Sequence, residues 1–258
     1  MAAEKTRAIV IRTSAFGETS SVVTIYCRDF GKLRGLAKGA WRPKSSFDGA
    51  LDLLSASQVL VLRKSSGGLD LLTEASLESR FRVGTSLTAV FGGLHVAELL
   101  DALTADADPQ PELFDVAHAT VTRLSDWSGD DSPVGALLIS LEFAMLRLTG
   151  HGPVLSRCAE CHGPLRTSGR TAFGMLDGGT LCDGCRVGRR GVVSVSAPAL
   201  SALRLLADRR VSPDDVPLPA AVAGEVRGIM TTLLSHLLGR PLRVPAAMSR
   251  AGRRLRRT

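Results

Sequence analysis

No glycine-rich phosphate loop occurs in these 258 residues: Gly31-Lys32 has tyrosine rather than glycine at position 26, and leucine follows it. Without that loop there is no backbone cradle for nucleotide phosphates and no case for ATP hydrolysis. Gly-x-Ser-x-Gly and His-Glu-x-x-His are also absent, which removes the serine-hydrolase elbow and the zinc-protease helix. No His-x-Glu precedes a Cys-x-x-Cys, so the nucleobase-deaminase pattern is excluded. Carboxylates are scattered rather than paired in a motif, and an enzyme is not expected. Long apolar runs are missing too. The run near Val134–Leu141 stops at Glu142, far short of the ~20 residues of a membrane helix. The N-terminus carries Glu4 and only four apolar residues between Arg7 and Arg12, unlike a secretory signal. A cytoplasmic protein is expected. No repeat of solenoid length appears.

What is present begins with charge. Thirty-two basic residues face 25 acidic ones, but unevenly: net +4 over 1–80, −7 over 81–150, +3 over 151–195 and +7 over 196–258. Basic ends suit a polyanion such as nucleic acid. The acidic middle should turn away from it or meet a basic partner. Apolar residues make up 45%, enough for one large or two modest cores.

Residues 4–79 read as about five short strands: Arg7–Arg12, Ser21–Arg28, Leu33–Ala37, Ser57–Arg63 and Leu69–Leu77. Asp29-Phe30-Gly31-Lys32 and Ser65-Ser66-Gly67-Gly68 supply turns. A small antiparallel barrel fits, and the OB fold is the commonest five-stranded case. After Ser79 the apolar period becomes helical: Val83–Leu103, Pro111–Trp127, and Val134–Leu148 opened by Ser132-Pro133. Ser196-Ala197-Pro198 starts a further helix, Pro213–Pro219 reads as a linker, and Ala220–Leu238 is amphipathic. Residues 246–258 hold Arg250, Arg253, Arg254, Arg256 and Arg257 with only Met248 and Leu255 as large apolar residues, which reads as a disordered tail.

Cys158-Ala159-Glu160-Cys161 and Cys182-Asp183-Gly184-Cys185 are two knuckles separated by 20 residues. Two thiolates on each turn can complete a tetrahedral Cys₄ site with Zn–S near ~2.3 Å. Phe173–Leu176 and Thr180-Leu181 around Asp177-Gly178-Gly179 make the intervening ribbon, and Gly163 and Gly184 serve the tight turns. Four thiolates leave no open position for water, so the Zn²⁺ is structural, holding 151–193 and presenting its arginines. His162 reads as an exposed neighbour. A redox pair is the plainer alternative.

Lys32, Arg34, Lys38, Arg42 and Lys44 are five cations with no acid among residues 32–44. Strand alternation turns Lys32, Arg34 and Lys38 outward and Leu33 and Ala37 inward. Gly39 then lifts Trp41, Arg42 and Lys44 onto a loop. Such a ridge can track phosphates, with Trp41 stacking on a base. Phe16, Tyr26, Phe30 and Phe47 read as core. The bland alternative is a lysine-guarded sheet edge. Cys27 and His95 read as buried apolar-face residues, and His151 as part of a loop.

Thr13-Ser14-Ala15-Phe16-Gly17-Glu18-Thr19-Ser20, Gly31-Lys32-Leu33-Arg34-Gly35-Leu36-Ala37-Lys38-Gly39-Ala40, Gly49-Ala50-Leu51 and His236-Leu237-Leu238-Gly239-Arg240-Pro241-Leu242 resemble the RecO family of bacterial recombination and repair mediators. The knuckles sit where many of that family carry a zinc finger. The chain departs where the family usually has a basic residue and this sequence has Trp41, and after Leu242, where an arginine tail follows. The resemblance implies binding of single- and double-stranded DNA and annealing of complementary strands within the RecF pathway. It also implies partnership with RecR and single-strand-binding protein, and help for RecA in loading onto coated strands, in the nucleoid.

The expectation is an α+β chain: an OB-fold barrel over 1–79, a helical bundle over 80–150 completed by 194–245, an inserted zinc-ribbon-like module over 151–193, and the tail over 246–258. Lys32, Arg34, Lys38, Trp41, Arg42 and Lys44 are the candidate DNA contacts, and Arg253, Arg254, Arg256 and Arg257 would add nonspecific affinity. Cys158, Cys161, Cys182 and Cys185 are the candidate metal ligands. Rival readings are a zinc-ribbon transcription or RNA-binding factor, an enzyme using Cys27 as nucleophile, and a scaffold for an acidic protein tail.

Overall fold

A computed structural model of the chain describes residues 3–64, 68–166 and 169–255. Five strands, β1 (Ala3–Phe16), β2 (Ser20–Cys27), β3 (Gly31–Ala37), β4 (Ala56–Leu62) and β5 (Asp70–Ser79), close into a barrel in the order β1-β2-β3-β5-β4. β1 pairs with β4 through its first half and with β2 through its second. The seam is the parallel pairing of β3 with β5. This is the OB-like barrel expected from the strand count, although β1 is twice the length that its apolar run suggests. Of the expected Ser65–Gly68 hairpin, residues 65–67 lie outside the described residues.

Alternation sorts the strand residues. Ala8, Val10, Val23, Ile25, Cys27, Leu33, Ala37, Val59, Val61 and Leu72 fill the interior with Phe47 and Leu51. Ile9 and Tyr26 point the other way yet are fully buried, and helix α1 (Leu87–Leu103) packs against β1. Phe30 is partly buried against the core with Arg63 over its ring, but Phe16 is 54% exposed, against the sequence expectation. It ends β1, beyond the part of the strand that β4 covers.

Helix α2 (Pro111–Leu124) packs on α1. The chain divides into two compact units, Met1–Gly129 and Asp130–Thr258. Thus α1 and α2 group with the barrel, and the 79/80 position marks only the change from strand to helix.

In the second unit, α3 (Ser132–Leu148) packs with α4 (Ala197–Ala207) and α5 (Ala220–Leu238). Between α3 and α4 lies a three-stranded sheet, β7-β6-β8, from β6 (Thr171–Gly174), β7 (Gly179–Leu181) and β8 (Val192–Val195). Glu142 of α3, fully buried, accepts from both terminal nitrogens of Arg227 on α5 at 2.6 and 3.2 Å. The expected linker at Pro213–Pro219 contains a short 3₁₀ turn, Pro213–Asp215, that packs on α3 and precedes buried Val216.

The expected disordered tail is instead largely helix α6 (Arg243–Leu255). Alanine and arginine are strong helix formers, and Pro245 sits in the first turn, where its missing N–H costs nothing. Arg256 and Arg257, and the side chains of Arg253 and Arg254, lie outside what the structure describes.

Candidate nucleic-acid interface and metal centre

The loop after β3 is fixed by its own backbone. The Gly39 N–H donates to Ser20 Oγ at 3.2 Å, Trp41 N–H to Thr19 O at 2.9 Å, and Ser45 N–H to Arg42 O at 3.1 Å. Ser46 ties the far end to β5: its carbonyl accepts from Ala75 N–H at 3.1 Å and its hydroxyl donates to Thr73 O at 3.0 Å. Lys44 is held with φ 59°, a left-handed backbone that a lysine keeps only where its surroundings impose it. The loop therefore presents its side chains from a built frame. Arg34, Lys38, Arg42 and Lys44 are exposed, and so is Trp41, at 61%.

Lys32 does not join them. It points away from the barrel interior, as alternation requires, but that face is covered. Its Nζ donates to the carbonyls of Asp101 and Thr104 at 2.7 and 2.8 Å and lies 3.4 Å from an Asp106 carboxylate oxygen. Lys32 thereby caps the C-terminal end of α1, where orphan carbonyls and the helix dipole favour a cation. The approach is close: a Cβ added to Gly31, at φ +68°, would lie 2.2 Å from Asp108 O. Lys32 is corrected from a phosphate contact to a structural clamp, leaving four exposed cations of the five.

Beside Trp41 the loop encloses a hollow of about 420 Å³. Two residues that sequence reasoning passed over shape it, Asp48 and Arg80. Arg80 pairs with Asp52 at 3.2 Å and passes so close to Gly49 that an added Cβ would sit 1.8 Å from its terminal nitrogen. Gly49 also has φ +65°. The only sequence hint was the Gly49-Ala50-Leu51 motif itself.

The sulfurs of Cys158, Cys161, Cys182 and Cys185 all lie within 4.8 Å of one another. Cys161 and Cys182 are 3.8 Å apart, the edge of about 3.8 Å that a tetrahedral ion with ~2.3 Å bonds requires. Backbone contacts set the knuckles. Cys158 N–H donates to Gly163 O at 2.9 Å, Ala159 N–H to Thr180 O at 2.7 Å, and Arg186 N–H to Cys182 O at 3.1 Å. The sharp turn after the first knuckle is taken by His162, at φ 58°, rather than by Gly163.

Burial pushes the Cys158 thiol up, but backbone hydrogen bonds from Cys182, Cys161 and Glu160 outweigh it and hold it down at about 6. The neighbouring sulfurs of Cys182 and Cys161 push Cys185 up to about 12. Four thiols this close cannot all ionise without a cation among them, so the donors fit a metal ion.

The module's arginines are exposed, as expected, but four of them are held in ion pairs. Arg189 bridges Glu160 at 2.8 Å and Asp177 at 3.0 Å, Arg166 and Arg186 both meet Asp183 at 3.3 Å, and Arg170 meets Glu225 at 2.8 Å. Arg157 and Arg190 are exposed. Cys27 is fully buried, and burial drives its thiol well above the usual range, the reverse of an activated nucleophile. Among the described residues no helix is long and apolar enough to cross a membrane.

Residues 1–81 match the family described as Recombination protein O N terminal, and residues 84–246 match Recombination protein O C terminal. The chain is 35% identical to the DNA repair protein RecO of Rhodopirellula baltica, over 92% of this chain and 96% of that one. It is 29% identical to the DNA repair protein RecO of Myxococcus xanthus, over 95% and 96%. For that of Anaeromyxobacter dehalogenans the identity is 33%, over 92% of each.

Proposed function

The chain belongs to the RecO family of DNA repair proteins, and from that premise we propose that it grips single- and double-stranded DNA through the barrel loop and anneals complementary strands without a nucleotide or any catalytic step. The observation that carries this is the exposure of Arg34, Lys38, Arg42 and Lys44 around an exposed Trp41 on a backbone-fixed loop. Phosphates lose their mutual repulsion against such a ridge, and a base can stack on the indole. The arginines of 250–257 add nonspecific attraction.

In this reading the protein works with RecR to let RecA load onto strands coated by single-strand-binding protein, in the cytoplasm at the nucleoid. Zn²⁺ is the metal proposed for Cys158, Cys161, Cys182 and Cys185. When bound, it supplies structural cross-linking of the two knuckles.

The test is annealing of complementary oligonucleotides without ATP, by the wild type and by a Lys38/Arg42/Lys44 triple alanine variant, with an RNA of the same sequence as competitor. Annealing by the wild type and its loss in the triple variant are expected. An equally active triple variant overturns the loop assignment. Preference for RNA would favour an RNA-binding factor.

A further inference from the structure

The hollow beside Trp41 is lined by more than cations. Phe47 and Leu51 belong to the barrel core, whereas Trp41, Arg42, Lys44 and Asp48 are exposed. Asp52 also lines it but is taken up by Arg80 at 3.2 Å. A carboxylate here is out of place for a surface that binds only phosphates, because it repels them. It suits a base edge, where donor N–H groups face outward and a carboxylate can accept two at once. About 420 Å³ lies within the ~300–1,000 Å³ of ligand pockets, with an aromatic face at its margin and an apolar inner wall.

Resting on the DNA-binding reading, we propose that this hollow captures one unstacked nucleobase of a single strand, with Trp41 on its face and Asp48 on its Watson–Crick edge, and that it favours guanine over thymine. Guanine offers adjacent ring and amino N–H donors to the two carboxylate oxygens. Thymine offers one N–H flanked by two carbonyls, which repel them. Arg42 and Lys44 then hold the phosphates on either side. A base paired in a duplex has this edge occupied, so the site selects opened strands.

The experiment measures affinity for an oligothymidylate of about 20 nucleotides, longer than a typical ~4–16-nucleotide barrel site. The same strand with one central guanine, and with inosine in its place, completes the set for the wild type and Asp48→Asn. The wild type is expected to bind the guanine strand about fivefold to tenfold more tightly than oligothymidylate, in the range of one good base contact. Inosine, lacking the amino group, should fall between them. In Asp48→Asn the guanine gain should shrink below about twofold while affinity for oligothymidylate rises, since a charge near the phosphates is gone. Equal binding of all strands by the wild type overturns the base site and leaves the cationic ridge standing. An undiminished guanine gain in Asp48→Asn also overturns it. Failure of every strand to bind overturns the DNA-binding reading itself, and this proposal with it.

Discussion

Lys32 and Lys38 lie six positions apart on or beside one strand, on the same side by alternation, yet their surroundings give them opposite duties. Lys32 donates to two carbonyls at the end of α1, and removing it takes that donor and its positive charge from the helix end. Lys32→Ala should cost about 2 kcal/mol, read as a lowered midpoint in urea with unchanged slope, while single-strand affinity of the folded protein stays within about twofold. A large drop in affinity without loss of stability would restore Lys32 to the DNA surface. The sequence made its direction legible, because period-two alternation is local. What covers that direction depends on residues 101–106, some seventy positions away, which no local pattern encodes. Trp41 and Phe16 show the same limit. Both are aromatic and both exposed, and only the glycine before the loop hinted at the first.

Among the elements, helix α4 starts on Ser196, which caps Ala199 N–H at 3.3 Å. Its own N–H and hydroxyl donate to Glu225 of α5, at 2.9 and 2.5 Å, and Arg170 adds a third contact. This is a capping box completed from another helix. Burial alone would raise the Glu225 carboxyl, but the Ser196 bonds and Arg170 outweigh it and hold it below the usual carboxylate range. A lowered folded-state value means stabilisation that is present above the unfolded value and lost as pH falls through the folded one. Stability of wild type should therefore fall more steeply than that of Glu225→Gln as pH drops below about 4. Parallel profiles would contradict this.

The cysteine sheet makes a second claim at this scale. Cys158→Ser should release metal and open 151–193 to proteolysis, checked by metal analysis alongside limited digestion. A wild type purified without bound metal, or a variant equally protected, would contradict it. Both knuckles were legible because ligand spacing is a local constraint. Strand β8, which completes that sheet along β6 from Val192–Val195, was not, because its four residues pair with a strand some twenty positions earlier.

For the whole molecule, charge distribution is the property that suits a polyanionic partner. The barrel segment 1–80 carries net +4 and segment 81–150 net −7, so attraction is concentrated rather than spread. The barrel's closure, with β3 and β5 parallel at the seam, sets the cationic loop on one part of the first unit. The fold class was legible from strand count and helical period. The division after Gly129 was not, because helices α1 to α3 share one apolar pattern and only tertiary packing assigns two of them to the barrel.

The most direct measurement is the salt dependence of single-strand affinity, for wild type and the Lys38/Arg42/Lys44 triple alanine variant. Each neutralised phosphate contributes about −0.7 to the log–log slope. The triple variant should lose about 2 of the wild-type slope, with weaker binding at every salt concentration. Two parallel lines, or wild-type binding indifferent to salt, would show that these cations do not hold the strand.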